Sequence, residues 1–421
     1  MRDRACSNLI FILIFAVELM RFLNDKKNIA GRNHGEMKIL ESPDSDSELE
    51  DNSMKTIIND LGALAPSYPV DKLAEPDKVL FMDIETTGFT AKSSNLYLIG
   101  CAYFADDEWH TIQWLAENYD EEVAVLNAFL EYCLNYDFLI HFNGNRFDLP
   151  YITQKCEMYD LPFKFDDFKG VDLYKRIKPY KNFLKLENCK QTTIENFLGL
   201  KREDQYTGGE LINIYHDYAC NQDEEKEALL LLHNQADLEG MLGLLSVLAI
   251  SDLFNLPVRV MKVQANYYND YNNKKRQELV LSLRFVSDLP VPINCSENGC
   301  YFTGNGNNGV LKVPLYEEEM KYFYSNYKDY FYLPEEDTAI HKSVAASVDP
   351  EHRRQATAAT CYTRKLSSYL PQWEPMFTPF YKRSFRDRDY FFELTDEFKT
   401  SRESFNKYAE HVLQNMVLAE E

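Results

Sequence analysis

Apolar and polar positions recur with two different periods along this chain, and each change of period marks an element. Val79-Leu80-Phe81-Met82-Asp83 is a continuous apolar run closed by an acid, the pattern of a strand buried on both faces. Leu96 to Phe104 and Trp109 to Leu115 predict two more strands, with Asp106-Asp107 as the turn between them. Spacings of three and four predict helices over Glu121 to Leu134 and Phe147 to Tyr159, separated by a short buried strand over Phe138 to Phe142. A short strand near Val171-Asp172 precedes mainly helical sequence, which ends in a long apolar-rich segment from Asp223 to Phe254. Three strands able to pair antiparallel, followed by alternating helix and strand, predict an α/β fold: a mixed sheet flanked by helices.

Beyond Pro257 the pattern changes. Leu279 to Val286 predicts a strand, Gly299 to Leu315 a hairpin turning at Gly304-Asn305-Gly306-Asn307-Asn308-Gly309, and Glu317 to Tyr327 a helix. This describes a smaller α+β accessory domain over residues 256–421. At the other end, the apolar run Leu9 to Val17 is interrupted by Glu18 and Arg21, short of the ~20 residues a membrane span needs. With Arg2 and Arg4 ahead of it, its length suits a signal peptide, but the cleavage site is poor. We read it as an extension ahead of a start at Met37 and expect no membrane attachment. Residues 41–60 are acidic and Ser-rich, the composition of a solvated linker. The expected division is a disordered extension and linker over 1–76, an α/β domain over 77–255 and the accessory domain over 256–421.

A length of 421 residues agrees with two or three domains at roughly 150 residues each. The nine cysteines form no closely spaced metal-type pair and no even disulfide framework, which points to a reducing cytoplasm. A net charge of -22 argues at first against a nucleic-acid ligand. The charge is uneven, however: residues 256–421 hold 21 Lys/Arg against 23 Asp/Glu, so nearly all the acid excess lies in residues 1–255. An acidic half can handle a polyanion only if its carboxylates hold cations.

Three short segments supply such carboxylates. Asp83-Ile84-Glu85 ends the first strand, and alternation sends Asp83 and Glu85 to one face. Asp148 stands in Asn143-Gly144-Asn145-Arg146-Phe147-Asp148-Leu149-Pro150-Tyr151, where a strand turns into a helix; it could face a cleft or merely cap the helix. His233 and Asp237 are one helical turn apart in the last long helical segment. Any of these alone has an ordinary structural explanation, but their order suggests a convergent set. Four carboxylates brought together stay ionised only with added positive charge, and two divalent cations, Mg²⁺ or Mn²⁺, are the economical source.

Asp83-Ile84-Glu85-Thr86-Thr87-Gly88, Asn143 to Tyr151 and His233 to Asp237 together resemble the three motifs of the DEDD superfamily of 3′–5′ exonucleases, on a ribonuclease H-like fold. The nearest resemblance is to the YprB-like ribonuclease H-like family, related to the proofreading exonuclease of family B DNA polymerases, over about residues 77–255. It implies that Asp83, Glu85, Asp148 and Asp237 bind two metal ions and that His233 is the general base on the attacking water, a role an imidazole can fill near neutral pH. It also implies that Asn143 positions the substrate. His233 lies four positions before the last Asp, the spacing of the Tyr-type subgroup rather than the five of the His-type. Asp172 is a candidate to support the site, or a simple cap.

The later part has no motif of this kind. Its basic groups cluster at Arg353-Arg354, Arg364-Lys365 and Lys382-Arg383, among Tyr362, Tyr369, Tyr381 and Phe385. Cations with aromatic neighbours suit single-stranded nucleic acid, so Arg353, Arg354, Lys382 and Arg383 are candidate substrate contacts. The expected activity is metal-dependent 3′–5′ exonucleolysis of single-stranded DNA or RNA; the alternative is a catalytically silent nucleic-acid-binding module on the same fold.

Overall fold

The computed structural model describes residues 54–270 and 272–418. The apolar run at Leu9 to Val17, the start at Met37 and most of the acidic linker lie outside the described residues. The linker ends earlier than its composition suggests, because Lys55–Asp60 forms β1 and pairs antiparallel with the edge of the first sheet. Backbone pairing there outweighs a polar composition.

The first sheet contains β1, β2 (Val79–Thr86), β3 (Leu96–Ala105), β4 (Glu108–Leu115), β5 (Phe138–His141) and β6 (Lys169–Asp172), in the order β1-β4-β3-β2-β5-β6. β3 and β4 turn at Asp106 and Asp107, both at positive φ. The strands from β1 to β2 pair antiparallel, and β5 and β6 continue parallel to β2. β2 is thus central, and its Val79 to Met82 are fully buried. Leu80 and Met82 pack toward α1 (Glu122–Cys133), α2 (Asp148–Met158) and α5 (Gly208–Asn221). Val79 and Phe81 pack on the other face, toward α3 (Leu173–Ile177), α4 (Gln191–Leu198), α6 (Glu224–Leu244) and α7 (Val247–Asn255). The same alternation sends Asp83 and Glu85 to the α6 face.

A buried ion pair ties α1 and α2 to the sheet. Lys155 Nζ lies 2.7 Å from Glu122 Oε1 and donates to the Ser94 carbonyl at 2.6 Å, while Glu122 accepts from the Leu96 N–H at 2.6 Å. This pair fixes α2, whose first residue is Asp148.

The later residues form a second antiparallel sheet: β7 (Arg259–Asn269), β8 (Lys275–Glu297), β9 (Cys300–Phe323), β13 (Tyr362–Gln372), β14 (Phe380–Tyr381) and β15 (Tyr390–Glu393), in the order β14-β15-β13-β9-β8-β7. β10 (Tyr330–Leu333), β11 (Thr338–His341) and β12 (Arg354–Gln355) make a small third sheet, and α8 (Asp396–Thr400) and α9 (Arg402–Leu418) close the described chain. Two expectations fail here. The hairpin turns at Asn298-Gly299, both at positive φ, and not at Gly304 to Gly309. Gly304 and Gly309 lie within β9, where a Cβ would come within 2.7 Å of Leu289 and 2.5 Å of Phe285, so these glycines make room for core side chains. The helix expected from Glu317 is the continuation of β9, in which Glu317 to Glu319 pair with β13, and tertiary pairing overrides the helical preference of glutamate. One apolar cluster runs unbroken from α6 and α7 through Leu281, Phe302 and Val313 to Tyr408 and Val412 of α9.

Candidate active site

Asp83 stands opposite Gly100 in the β2–β3 ladder. A Cβ at Gly100 would fall 1.9 Å from Asn234 Oδ1, so only glycine lets α6 approach this closely. Gln113 Nε2 donates to Asn234 Oδ1 at 2.9 Å, which turns the amide so that Asn234 Nδ2 donates to Asp83 Oδ2 at 3.0 Å. Asn234 is fully buried, and α6 is clamped to the strand that carries Asp83 and Glu85.

One residue earlier, His233 faces the carboxylates. Its Nδ1 lies 2.8 Å from Asp204 Oδ2, an acceptor that fixes the proton on Nδ1. Nε2 lies 3.6 Å from Glu85 Oε1 and 3.4 Å from Asp237 Oδ2. Ligand atoms of Glu85, His233 and Asp237 all lie within 4.8 Å of one another, a grouping able to hold a metal ion. Asp148 is buried at the start of α2; the helix cap is Phe147, so Asp148 is free of the capping role.

These carboxyls lie in one another's field. Burial first, and then Asp237, Glu85 and Asp148, push Asp83 well above the ordinary carboxylate range. Burial, Asp237 and Asp148 do the same to Glu85. Asp148 is pushed up to about 7, chiefly by burial, against the opposing pull of its own N–H and that of Ile84. Such a set holds protons at neutral pH unless cations replace them. Carboxylate oxygens suit a hard divalent cation.

Sequence reasoning missed the groups that steady this set. Arg202, between α4 and α5, donates from Nη1 to Asp237 Oδ1 at 2.7 Å and from Nη2 to Asp204 Oδ2 at 3.0 Å. It also lies 3.4 Å from Glu195 Oε1. Burial pushes the Asp204 carboxyl up, but the Tyr206 N–H, Arg202 and His233 outweigh it and hold it below its ordinary value. Lys201-Arg202-Glu203-Asp204 looks like any charged connector, and its partners lie 29 and 35 residues away, so no local signal marked it. Asn234 carries no local signal either, because its partners Gln113 and Asp83 lie on distant strands.

Asn143 lies at positive φ, and its N–H donates to Asp172 Oδ1 at 3.0 Å. Asp172 also accepts from the Asn145 N–H at 3.3 Å and from the Lys175 N–H at 3.2 Å, so it caps α3 and holds the turn that carries Asn143.

A cleft of about 920 Å³ opens on Asp83, Asp148 and Asp237. Asn143 lines it, as do Phe89, Phe142, Phe147 and Tyr174, and Arg146, Lys178, Lys181 and Lys190 give it a basic side. Phe89 is 89% exposed. Arg353, Arg354, Lys382 and Arg383 are elsewhere, in the C-terminal sheets, and none lines this cleft. Arg383 pairs with Glu318 at 2.7 Å and lies over Phe391; Arg353 lies over Phe331 and donates to the Ala345 carbonyl; Lys382 lies over Tyr390. Arg354, in β12, is exposed.

A family model described as RNase_H superfamily matches residues 80–249, the span from β2 into α7. The first sheet and its helices are therefore a ribonuclease H-like domain, followed by a sheet-rich C-terminal region. No curated protein matches the sequence. Among solved structures, the family B DNA polymerase from the hyperthermophilic archaeon Pyrobaculum calidifontis is similar at 14% identity and a TM-score of 0.34, over 61% of this chain and 35% of that one. E. coli Exonuclease I in complex with a dT13 oligonucleotide is similar at 9% identity and a TM-score of 0.28, over 50% of this chain and 55% of that one. The chain thus spans about a third of the polymerase and about half of the exonuclease. Likenesses this loose carry no weight for activity. Among the described residues, no helix is long and apolar enough to cross a membrane.

Proposed function

We propose that the protein is a metal-dependent 3′–5′ exonuclease that hydrolyses the phosphodiester bonds of single-stranded DNA or RNA, a DEDD-type enzyme of the YprB-like kind. The observation that carries this reading is the convergence of Glu85, His233 and Asp237 within 4.8 Å, with Asp83 and Asp148 near enough that Asp237 raises both of their carboxyls. Asp83, Glu85, Asp148 and Asp237 would hold two Mg²⁺ or Mn²⁺ ions. Such ions, when bound, supply Lewis-acid stabilisation of phosphoryl and leaving oxygens and lower the pKa of water.

The chain's own groups do the rest. His233 Nε2 takes the proton of the attacking water, and Asp204 holds the Nδ1 proton and stabilises the imidazolium that forms. Arg202 pins one oxygen of Asp237 and leaves the other toward the site. Asn143 lies at the cleft wall, within the turn held by Asp172, where it can orient the scissile phosphate. The exposed ring of Phe89 offers a face to an unstacked base, which favours single strands over duplex.

One observation favours the silent module instead: Arg202 already supplies positive charge to Asp237 and Asp204 without a metal. The two readings part in one assay. Purified protein is incubated with 5′-labelled single-stranded DNA and RNA, in Mn²⁺ and in chelator. The enzyme shortens the strand stepwise from its 3′ end only with Mn²⁺, and Asp83→Asn abolishes it. No cleavage under any divalent ion, or cleavage that persists in chelator, overturns the proposal.

A further inference from the structure

The cleft that opens on the carboxylates has a basic side that the C-terminal basic clusters do not share. Lys178 and Lys181 flank the short turn after α3, and Lys190 immediately precedes α4. All three line the cleft shared by Asp83, Asp148 and Asp237. Lys178 and Lys190 are exposed and Lys181 is half-buried. In a chain with 67 Asp/Glu against 45 Lys/Arg, a basic residue readily finds an acidic partner. Lys155, Arg202, Arg364, Lys365 and Arg383 all do. Lys178, Lys181 and Lys190 make no ion pair among the described residues, although three acids line the same cleft. Lys178 instead lies 5.6 Å from the centre of the Tyr174 ring. Burial raises the thiol of Cys189, while Lys181 and Lys178 pull it back, so both cations lie within electrostatic reach of that thiol, which lines the same cleft.

We propose that Lys178, Lys181 and Lys190 form the phosphate track of the protein, holding successive backbone phosphates of a single strand whose end lies at the carboxylates. The assignment of that end rests on the exonuclease reading; the track itself does not. A phosphodiester approaching Asp83, Asp148 and Asp237 meets repulsion, and three unpaired ammonium groups across the same cleft offset it. Ammonium groups are point charges on flexible stems, so they grip phosphates without reading bases, and binding along this wall is indifferent to sequence. DNA and RNA share that phosphate chemistry. The sequence-based expectation that Arg353, Arg354, Lys382 and Arg383 contact substrate gives way here, because Arg383 is neutralised within its own sheet and none of the four faces the cleft.

The test uses the full chain and two probes, fluorescein-labelled dT15 and rU15, with anisotropy read in chelator from about 50 to 300 mM salt. The parental protein should bind both, with affinity falling steeply as salt rises. Each phosphate contact contributes about 0.7 to the slope of log K against log salt for a single strand, so Lys178→Gln/Lys181→Gln/Lys190→Gln should lose about 2 from the slope. That is about a hundredfold in affinity per decade of salt. An unchanged midpoint of urea unfolding shows that the triple variant is folded. Arg353→Gln/Arg354→Gln should keep the parental slope. The track is overturned if the triple variant binds with the parental slope, if the arginine variant loses slope instead, or if the parental protein binds neither probe. A protein that binds through the lysines but never cuts with Mn²⁺ sinks the exonuclease reading and leaves the track standing. One that cuts while the triple variant keeps its slope does the reverse.

Discussion

Freed of metal, the protein should lose stability as pH rises from about 4 to about 7, and Asp148→Asn should remove a large share of that loss. The Asp148 carboxyl is pushed up to about 7 by burial, with Asp172 and Asp237 adding to it, whereas an unfolded Asp titrates near 3.9. Between those values the folded state holds a proton that the unfolded chain has released, so stability falls with pH throughout the window. The stability is fully present below about pH 4 and lost by the time the folded carboxyl has ionised. Roughly three pKa units correspond to at most ~4 kcal/mol. Divalent cations should reverse the trend, because they bind the ionised carboxylates and not the protonated ones. The assay is urea unfolding at pH 5, 6, 7 and 8, in chelator and in Mn²⁺, for the parent and Asp148→Asn. In chelator the parent should weaken toward pH 8, and the variant should weaken less and exceed the parent at pH 8. In Mn²⁺ the parent should strengthen instead. Equal slopes for parent and variant in chelator would refute a carboxylate set that repels itself.

Other variants separate chemistry from support. His233→Ala should lose ~10²-fold or more in kcat while still binding Mn²⁺, followed by paramagnetic resonance; a fast variant would make His233 a packing residue. Asp204→Asn should cost about 10- to 100-fold through misorientation of the imidazole, and Asp204→Glu should recover part of it. Lys155→Met leaves Glu122 buried without its cation and should cost about 3–5 kcal/mol in unfolding, with Mn²⁺ affinity measured on the folded fraction unchanged. Gly100→Ala should cost about 1–3 kcal/mol and also weaken Mn²⁺ binding, because the new methyl collides with Asn234, which orients Asp83.

What could be read from the chain alone follows the range of the interaction involved. β2 is visible because both its faces are buried, and the placement of Asp83 and Glu85 on one face follows from strand alternation alone. His233 and Asp237 share a face by helical spacing, again a local rule. The Asp106-Asp107 turn and the antiparallel run of strands before the parallel ones were legible for the same reason. The misreadings are non-local. Gly304 and Gly309 look like turn residues, but Leu289 and Phe285 across the sheet demand them, and the true Asn298-Gly299 turn stood unread a few residues before them. Glu317 to Glu319 favour a helix until β13 supplies a partner strand.

The hardest case is charge, because the value of a lysine or arginine depends on what already neutralises it. Counted along the chain, the C-terminal clusters outshine the scattered Lys178, Lys181 and Lys190. Counted in space, Arg364, Lys365 and Arg383 are engaged by Glu319, Glu393 and Glu318, and the three scattered lysines line one cleft with no carboxylate paired to them among the described residues. The same reasoning explains Arg202, an unremarked residue of a charged connector that the fold sets between Asp237, Asp204 and Glu195. In an acid-rich protein the informative cations are the two extremes. One is fully surrounded and supports the carboxylates. The others are left unpaired beside them, and the proposed phosphate track gives them a polyanion as partner.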